Sequence, residues 1–267
     1  MTTPILPGFA LLSGSAARSA APSMFPRVPL KHMDGAMLSF ELFREIDRII
    51  PNEIDRQKIL SAAMIATDLH SDQTRFVRGN LPRVPYIEHP LRNTLRLIRW
   101  GVTNADLLVA CLLHDTVEDC LAKMLRTYVG AMEHSSSITA QRATAFAWLA
   151  TSYSPASARI VRQVTNPVDG SSTYVDHIRE MVAVGNPHTL LTKASDLVDN
   201  AGSLSHQKDG MPQKKFTRLL ERYWVPLELV RAALEELAEQ ITTSEAQVYA
   251  AAAANLAKVI DALDTLR

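Results

Sequence analysis

The stretch Ala110 to Asp119 reads Ala-Cys-Leu-Leu-His-Asp-Thr-Val-Glu-Asp and is the most informative part of the sequence. It places His114, Asp115, Glu118 and Asp119 directly after an apolar run. In a helix, residues four apart lie above one another, so His114 is expected beside Glu118 and Asp115 beside Asp119. Buried acidic residues are rare unless they are paired or bound to a metal. The pattern therefore favours a functional site over its alternative, a charged run on the surface.

A further histidine, His89, lies upstream and immediately precedes Pro90 and an amphipathic stretch. Proline is tolerated in the first turn of a helix, so His89 is expected at a helix entrance, from where its side chain could reach another helix. A histidine at such a position is more often a capping or packing residue. His89 alone therefore does not establish a ligand.

The third polar signal is Leu190 to Asn200, where Lys193, Asp196 and Asn200 are spaced to share one face of an otherwise apolar helix. Two histidines and two aspartates from the three stretches give a mixed set of nitrogen and oxygen ligands. Such a set suits Mn²⁺, Fe²⁺ or Zn²⁺ better than Mg²⁺ or Ca²⁺.

In their order along the chain, these motifs resemble those of the HD-domain metal-dependent phosphohydrolases, specifically the (p)ppGpp hydrolase domain of RelA/SpoT proteins and the small alarmone hydrolases. His114 to Asp119 resembles His-Asp-x-x-Glu-Asp, and Lys193 to Asn200 resembles Lys-Leu-Ala-Asp-Arg-Leu-His-Asn. The other matching segments are His70 to Arg75 (His-x-Gly-Gln-x-Arg, with Asp72 for Gly), Pro85 to Pro90, Val164-Thr165 and Tyr174 to Ile178. The resemblance implies an all-α, HD-domain helical bundle.

The resemblance also implies a role for each matching residue. The implied metal ligands are His89, His114, Asp115 and Asp196. The implied catalytic acids, which orient and activate the attacking water, are Glu118 and Asp119. The residues at nucleotide-binding positions are Arg75, Asn200 and Lys193. For Lys193 the alternative is a surface lysine that neutralises a neighbouring aspartate, and His70 is expected to be a core histidine with its hydrogen bonds satisfied.

Several departures from the family's motifs bear on the nucleotide pocket. Phe76 stands where the family usually has Lys, so one cation beside the substrate is missing. Arg78 and Arg83, in the long link that follows, are the candidates to replace it, and Arg78 is assigned to substrate binding. Leu197 and Asp199 stand where Arg and His are common. We therefore expect that the implied metal ligands and catalytic acids are all present, and that the preference of the pocket for guanine or adenine is altered.

Composition limits the classes of partner. The 267 residues contain 28 Lys plus Arg and 28 Asp plus Glu, which argues against general binding of nucleic acid or membranes. No apolar run approaches the ~20 residues of a membrane span. Cys111 and Cys120 lie nine positions apart on what is predicted to be one helix, too far to form a disulfide. Reduced thiols and a cytoplasmic location are expected.

We expect three parts: a mobile arm over residues 1–36, an HD-type hydrolase domain over 37–240 and a C-terminal amphipathic helix over 241–267. The first 33 residues contain no acid and are rich in Pro, Ser and Ala. A signal peptide is the alternative, but no basic residue precedes the apolar run, which Pro7 and Gly8 interrupt. Beyond the arm, apolar residues recur at helical spacing, without the alternation typical of a sheet.

Within these parts, Pro226 is expected to end or kink a helix that begins near Lys214. Thr242 to Glu245 matches a capping box at the start of the last helix. That helix either packs on the domain or forms an oligomer contact. Residues 132–157 are interpreted as an insertion that contains a helix at Ala140 to Ala150.

The functional expectation is hydrolysis of the 3′-pyrophosphate of guanosine or adenosine alarmones, (p)ppGpp or (p)ppApp, with Mn²⁺ as the favoured ion and another divalent transition metal as its alternative. Because 67 residues follow Asn200 (267 minus 200), no synthetase domain is expected after the hydrolase domain. Further expected partners are a second copy of the chain and a cognate toxin. The alternatives are an HD-domain nucleotide or NADPH phosphatase, and a non-catalytic antitoxin or immunity protein.

Overall fold

The structure is a computed structural model, and it describes residues 28–76, 83–130, 137–168 and 172–267. Almost every element in these ranges is helical, which confirms the all-α prediction. The helices are α1 (Gly35–Ile49), α2 (Glu53–Leu69), α3 (Glu88–Trp100), α4 (Ala105–Leu113), α5 (Thr116–Asp119), α6 (Leu121–Met124), α7 (Ile138–Ser152), α8 (Pro155–Val164), α9 (Tyr174–Val184), α10 (Pro187–Ala201), α11 (Leu204–Gln207), α12 (Gln213–Gln240) and α13 (Glu245–Asp264). A short π-helix, Leu125–Val129, follows α6, and 3₁₀ turns span Leu30–His32 and Lys208–Gly210.

Short polar residues determine where several helices begin. The side chains of Asn52, Asn104 and Asn186 accept hydrogen bonds from backbone N–H groups in the first turns of α2, α4 and α10. These caps satisfy N–H groups that have no partner within the helix. In α10, Pro187 follows the cap at the first helical position, where its missing N–H carries no penalty.

The core forms around α3, α4 and α10, which pack against one another. From Leu107 to Leu113 every residue of α4 is buried, and most of α3 and α10 is also buried. The peripheral helices α1, α2, α8, α12 and α13 cover this centre. The polar residues of the three central helices are therefore held inside a large apolar core.

The only strands in the described ranges form a two-residue antiparallel pair beside this core. The strand β1 (Thr74–Arg75) pairs with β2 (Val84–Pro85), with Arg75 opposite Val84. The pair leads directly into α3 through Tyr86 and Ile87. It therefore fixes Arg75 close to the entrance of the helix that carries His89.

The predicted continuous helix through His114 and Asp115 is wrong. The helix α4 ends at Leu113, and α5 begins at Thr116. Two side chains compete for the last carbonyls, because His114 Nδ1 lies 2.8 Å from the oxygen of Cys111 and Thr116 Oγ1 donates to that of Leu113. Cys111 consequently lies in α4, whereas Cys120 lies between α5 and α6, and both are buried free thiols.

Pro226 does not end its helix, since α12 continues through it from Gln213 to Gln240. Buried residues on both sides of the proline hold the two halves in place; they are Phe216, Leu220, Leu227, Val230 and Leu234. The last helix, α13, packs on α12 and α10. It begins after Ser244 without a side-chain cap, so the predicted capping box is not formed.

At the amino-terminal side, residues 1–27 of the predicted arm lie outside the described residues. The part from residue 28 onward is packed, because Leu30 and Met33 are buried and Lys31 Nζ donates to Ser203 Oγ at 2.9 Å. In the predicted insertion, residues 131–136 lie outside the description, and the expected helix is α7. Among the described helices, none is both long and apolar enough to span a membrane.

Candidate active site

Two histidine rings and two carboxylates converge where α3, α4 and α10 meet. His89 Nε2 lies 3.1 Å from Asp196 Oδ1 and 3.5 Å from Asp115 Oδ2. His114 Nε2 lies 3.1 Å from the same Asp115 oxygen and 3.8 Å from Asp196 Oδ1. Ligand atoms of His89, His114 and Asp115 all lie within 4.8 Å of one another. The structure therefore brings together the four residues that the sequence suggested as ligands.

The opposite nitrogen of each ring has its own partner. His89 Nδ1 lies 2.8 Å from Asp199 Oδ2, and His114 Nδ1 lies 2.8 Å from the carbonyl oxygen of Cys111. Each acceptor favours the proton on Nδ1, so that the Nε2 lone pair faces the cluster. His89 Nε2 also lies 3.3 Å from Asn93 Nδ2. His114 Nε2 is buried and has no hydrogen-bond partner among the described residues. This orphaned nitrogen, beside two carboxylates, fits a divalent transition metal.

The carboxylates of the cluster favour their charged form. Burial alone would raise the pKa of Asp115, but the neighbouring His114 lowers it below its usual range. Burial likewise opposes ionisation of Asp196, and Lys193, with Nζ 2.9 Å from Oδ2, holds its pKa well below the usual value. The same acids raise the pKa of the buried His114. Because a metal ligand must be deprotonated, an ion that binds here displaces the proton from His114 Nε2.

Asp199, fully buried, forms a second layer behind His89. Its carboxylate also accepts hydrogen bonds from Arg92 Nε at 2.9 Å and from Arg96 Nη2 at 3.1 Å. Burial alone would raise the pKa of Asp199, yet Arg92 and His89 hold it well below its usual range. The sequence identified this residue only as a departure from the family's motif. The structure assigns it to the orientation of His89.

The two acids Glu118 and Asp119 line a cleft of about 140 Å³ with Asp115 and Asp196. Glu118 accepts hydrogen bonds from the backbone N–H of Asn166 at 3.0 Å and from its Nδ2 at 2.8 Å. Burial, together with Asp115 and Glu118, raises the pKa of Asp119 to about 6. Asn166 was missed by the sequence reasoning, although the matching Val164-Thr165 motif lies directly beside it.

Lys193 belongs to the interior of this cleft and is not a surface residue. It is 5% exposed, and its ammonium pairs with Asp196 and lies 5.1 Å from the centre of the Tyr174 ring. Burial alone would lower its pKa, but Asp196 and Tyr174 raise it above its usual value. The helix α12 contributes two further lining residues that the sequence did not suggest, Arg222 and Tyr223.

A larger cavity of about 400 Å³ adjoins the cleft and shares Tyr86, Asn200 and Tyr223 with it. Its other lining residues are Arg75, Phe76, Leu204, Gln207, Gly210, Met211, Pro212, Lys215 and Leu219. Arg75 Nη2 donates to Asn200 Oδ1 at 2.5 Å, and its guanidinium lies 5.4 Å from the centre of the Tyr86 ring. The mixed apolar and cationic lining has the size and character of a small-molecule pocket.

Of the two arginines suggested as replacements for the cation missing at Phe76, the structure describes Arg83 but not Arg78. The Arg83 guanidinium lies 4.5 Å from the centre of the Phe76 ring and donates to Thr74, so it does not line the cleft or the larger cavity. Arg78 lies in the segment 77–82, outside the described residues. Arg83 therefore lines neither cavity in this structure, and the role of Arg78 remains a prediction.

Tyr86 lies between the larger cavity and the cluster of His89, His114 and Asp115. Its hydroxyl donates to Asp115 Oδ2 at 2.7 Å, and burial and Asp115 raise its pKa, which keeps it protonated. Its ring stacks on His70, with 4.6 Å between the ring centres. His70 is buried as expected, but the prediction that its hydrogen bonds are satisfied is wrong. Nδ1 lies 2.7 Å from Gln73 Oε1, whereas the buried Nε2 has no partner among the described residues.

Comparison with known proteins gives a partial similarity. No family model matches the chain. Over 67 residues the chain is 42% identical to the guanosine-3′,5′-bis(diphosphate) 3′-pyrophosphohydrolase MESH1 of Xenopus tropicalis, a match that covers 24% of this chain and 35% of that protein. The chain thus spans about a third of the length of the curated relative it matches. The chain is partly similar to a named hydrolase and carries a His–His–Asp group that fits a metal-dependent hydrolase.

Proposed function

We propose that the chain is a metal-dependent hydrolase that cleaves the 3′-pyrophosphate ester of guanosine or adenosine alarmones. One observation carries this proposal: Nε2 of His89 and Nε2 of His114 converge on Asp115, while an acid pair lies in the same cleft. The partial similarity to a guanosine-3′,5′-bis(diphosphate) 3′-pyrophosphohydrolase supports the same class of substrate.

The cluster would hold its ion through His89, His114, Asp115 and Asp196. Bound there, a divalent ion such as Mn²⁺ supplies Lewis acidity to a phosphate oxygen and lowers the pKa of water. The surroundings keep this ligand set fixed. Asp199 orients His89, Tyr86 holds Asp115, and Lys193 holds Asp196.

Glu118 and Asp119 are the proposed proton acceptors. Asn166 fixes the Glu118 carboxylate through two hydrogen bonds, and a carboxyl with a pKa near 6 suits proton transfer close to neutral pH. The water oxygen bonds to the phosphorus that is attached to the 3′ oxygen. The bond between that phosphorus and the 3′ oxygen then breaks. The products are pyrophosphate and a nucleoside 5′-diphosphate, GDP from ppGpp or ADP from ppApp, whose released 3′ oxygen takes up a proton to become a hydroxyl. The acid pair shares the proton that the water gives up.

The larger cavity is the proposed nucleoside pocket. Arg75 and Asn200 are hydrogen-bonded to each other beside the Tyr86 ring, and the nucleoside would contact this pair. Because Phe76 replaces the usual family cation, we expect weak discrimination between guanine and adenine. Metal-loaded protein should cleave ppGpp and ppApp at rates within about tenfold of each other, or ~1.4 kcal/mol.

The test is incubation of each alarmone with Mn²⁺-loaded and with metal-stripped protein. Turnover is expected only with the ion. Release of orthophosphate from mononucleotides or NADPH, with both alarmones untouched, would instead support the phosphatase alternatives. An antitoxin role would follow from destruction of a toxic alarmone. A metal-site variant that still protects cells from the toxin would show that protection depends on binding.

A further inference from the structure

The helix α12 brings a guanidinium into the catalytic cleft. The Cζ atom of Arg222 lies 4.5 Å from the centre of the Tyr174 ring, and Arg222 lines the cleft that contains Asp115, Glu118 and Asp119. Lys193 Nζ lies 5.1 Å from the centre of the same ring. Tyr174 therefore holds two cations on one wall of the cleft.

These two cations differ in how they are engaged. Lys193 is buried and paired with Asp196 at 2.9 Å, so its charge is already used by a carboxylate. Arg222 is exposed, and within the described ranges its guanidinium makes no ion pair with a carboxylate. Its planar, permanently charged group is thus available to a ligand in the cleft.

The charges of the cleft show why such a cation matters. The lining contains four carboxylates, those of Asp115, Glu118, Asp119 and Asp196, and two cations, Lys193 and Arg222. With these carboxylates ionised, a divalent ion makes the cleft neutral before any anion enters. Without Arg222, an incoming diphosphate would meet a cleft with an excess negative charge. Arg83 stacks on Phe76 and does not line the cleft.

We infer that Arg222 binds the diphosphate group that is cleaved. This inference rests on the proposed function. A guanidinium can donate two parallel hydrogen bonds to phosphate oxygens, and arginine suits this planar contact better than lysine. Stacking on Tyr174 orients the group before the anion arrives. Arg222 would hold the transferred group while the acid pair handles the water.

The test uses inorganic pyrophosphate as a probe of the Mn²⁺-loaded protein, with binding measured by calorimetry. Arg222→Gln should weaken pyrophosphate binding by about tenfold or more, the loss expected for a charged hydrogen-bonded contact. Arg222→Lys should recover part of it. The matched control is Arg218→Gln, an equal change of charge one turn earlier on α12 at an exposed position that lines neither the cleft nor the larger cavity. The control should bind pyrophosphate within about twofold of wild type.

Kinetics separate this inference from the proposed function. If wild-type protein cleaves alarmones and Arg222→Gln matches it in both pyrophosphate binding and kcat/KM, the role of Arg222 is refuted and the function stands. If Arg222→Gln loses pyrophosphate binding while wild-type protein leaves alarmones intact, the binding role holds and the proposed function fails. Equal losses in Arg222→Gln and Arg218→Gln would show a general charge effect and would also refute the inference.

Discussion

Replacement of Asp199 by asparagine should damage both the stability of the fold and its affinity for metal. The change keeps the side-chain shape but removes the charge. In the native protein this carboxylate is fully buried and accepts hydrogen bonds from His89, Arg92 and Arg96 at 2.8 to 3.2 Å. Among the described residues, Arg92 would retain Glu88, at 3.0 Å, as its charged partner.

The expected magnitude follows from these contacts. Loss of one partner from a buried ion pair typically costs about 3–5 kcal/mol, because the remaining charge is left without compensation. A whole domain is stable by about 5–15 kcal/mol, so Asp199→Asn should remove a large part of the free energy of unfolding. Loss of the hydrogen-bond partner of a metal-binding histidine should also weaken Mn²⁺ affinity by about 10–100-fold.

Denaturant unfolding and Mn²⁺ calorimetry measure the two effects, with Asp261→Asn on the exposed surface of α13 as the control. The native pKa of Asp199 is depressed, so its stabilising effect exists above the ordinary carboxyl pKa of about 3.9 and is lost as the pH falls below it. The difference between wild type and variant should therefore be largest near neutral pH and shrink in acid. A variant with wild-type stability and Mn²⁺ affinity at pH 7 would refute this role.

Three further predictions concern the cleft. Asp115→Ala should abolish turnover and remove the metal. Circular dichroism should show nearly unchanged helical content, since other residues build the core. A well-folded wild type that binds no transition metal by elemental analysis would contradict the metal site. Glu118→Gln should lower kcat by ~10² or more with the metal still bound, whereas Arg75→Ala should mainly raise KM. A Glu118→Gln enzyme with the wild-type kcat would exclude Glu118 from the mechanism. The kcat/KM profile should fall as the pH drops through about 6, where Asp119 becomes protonated, and a profile that is flat from pH 5 to 7 would exclude Asp119 as the base.

Local pattern explains why the fold class could be predicted and why the candidate ligands could be selected from the sequence. Helical spacing of apolar residues gives the all-α class, and the motifs that contain His114 and Asp196 carry their ligands at fixed spacing. The break after Leu113 was not predictable from spacing, because it depends on side-chain bonds to the carbonyls of Cys111 and Leu113. Periodicity reports the preferred face of a helix but not whether the helix is continuous.

The supporting residues escaped the sequence reasoning because their partners are distant in the chain. Asp199 lies 110 positions from His89, and Asn166 lies 48 positions from Glu118. Arg222 lies on a helix outside the recognised motifs. No local pattern reports such pairings, since only the packing of the helices against one another brings these residues together.

The central claim is tested most directly by asking whether pyrophosphate or orthophosphate is released first. A single turnover of ppGpp by the Mn²⁺-loaded protein, quenched and separated by ion exchange, should give GDP and pyrophosphate in equal amounts. Cleavage of ppApp should give ADP and pyrophosphate in the same ratio. Orthophosphate as the first product from either alarmone would contradict cleavage at the 3′ ester, and so would the absence of any cleavage by protein with a full complement of metal.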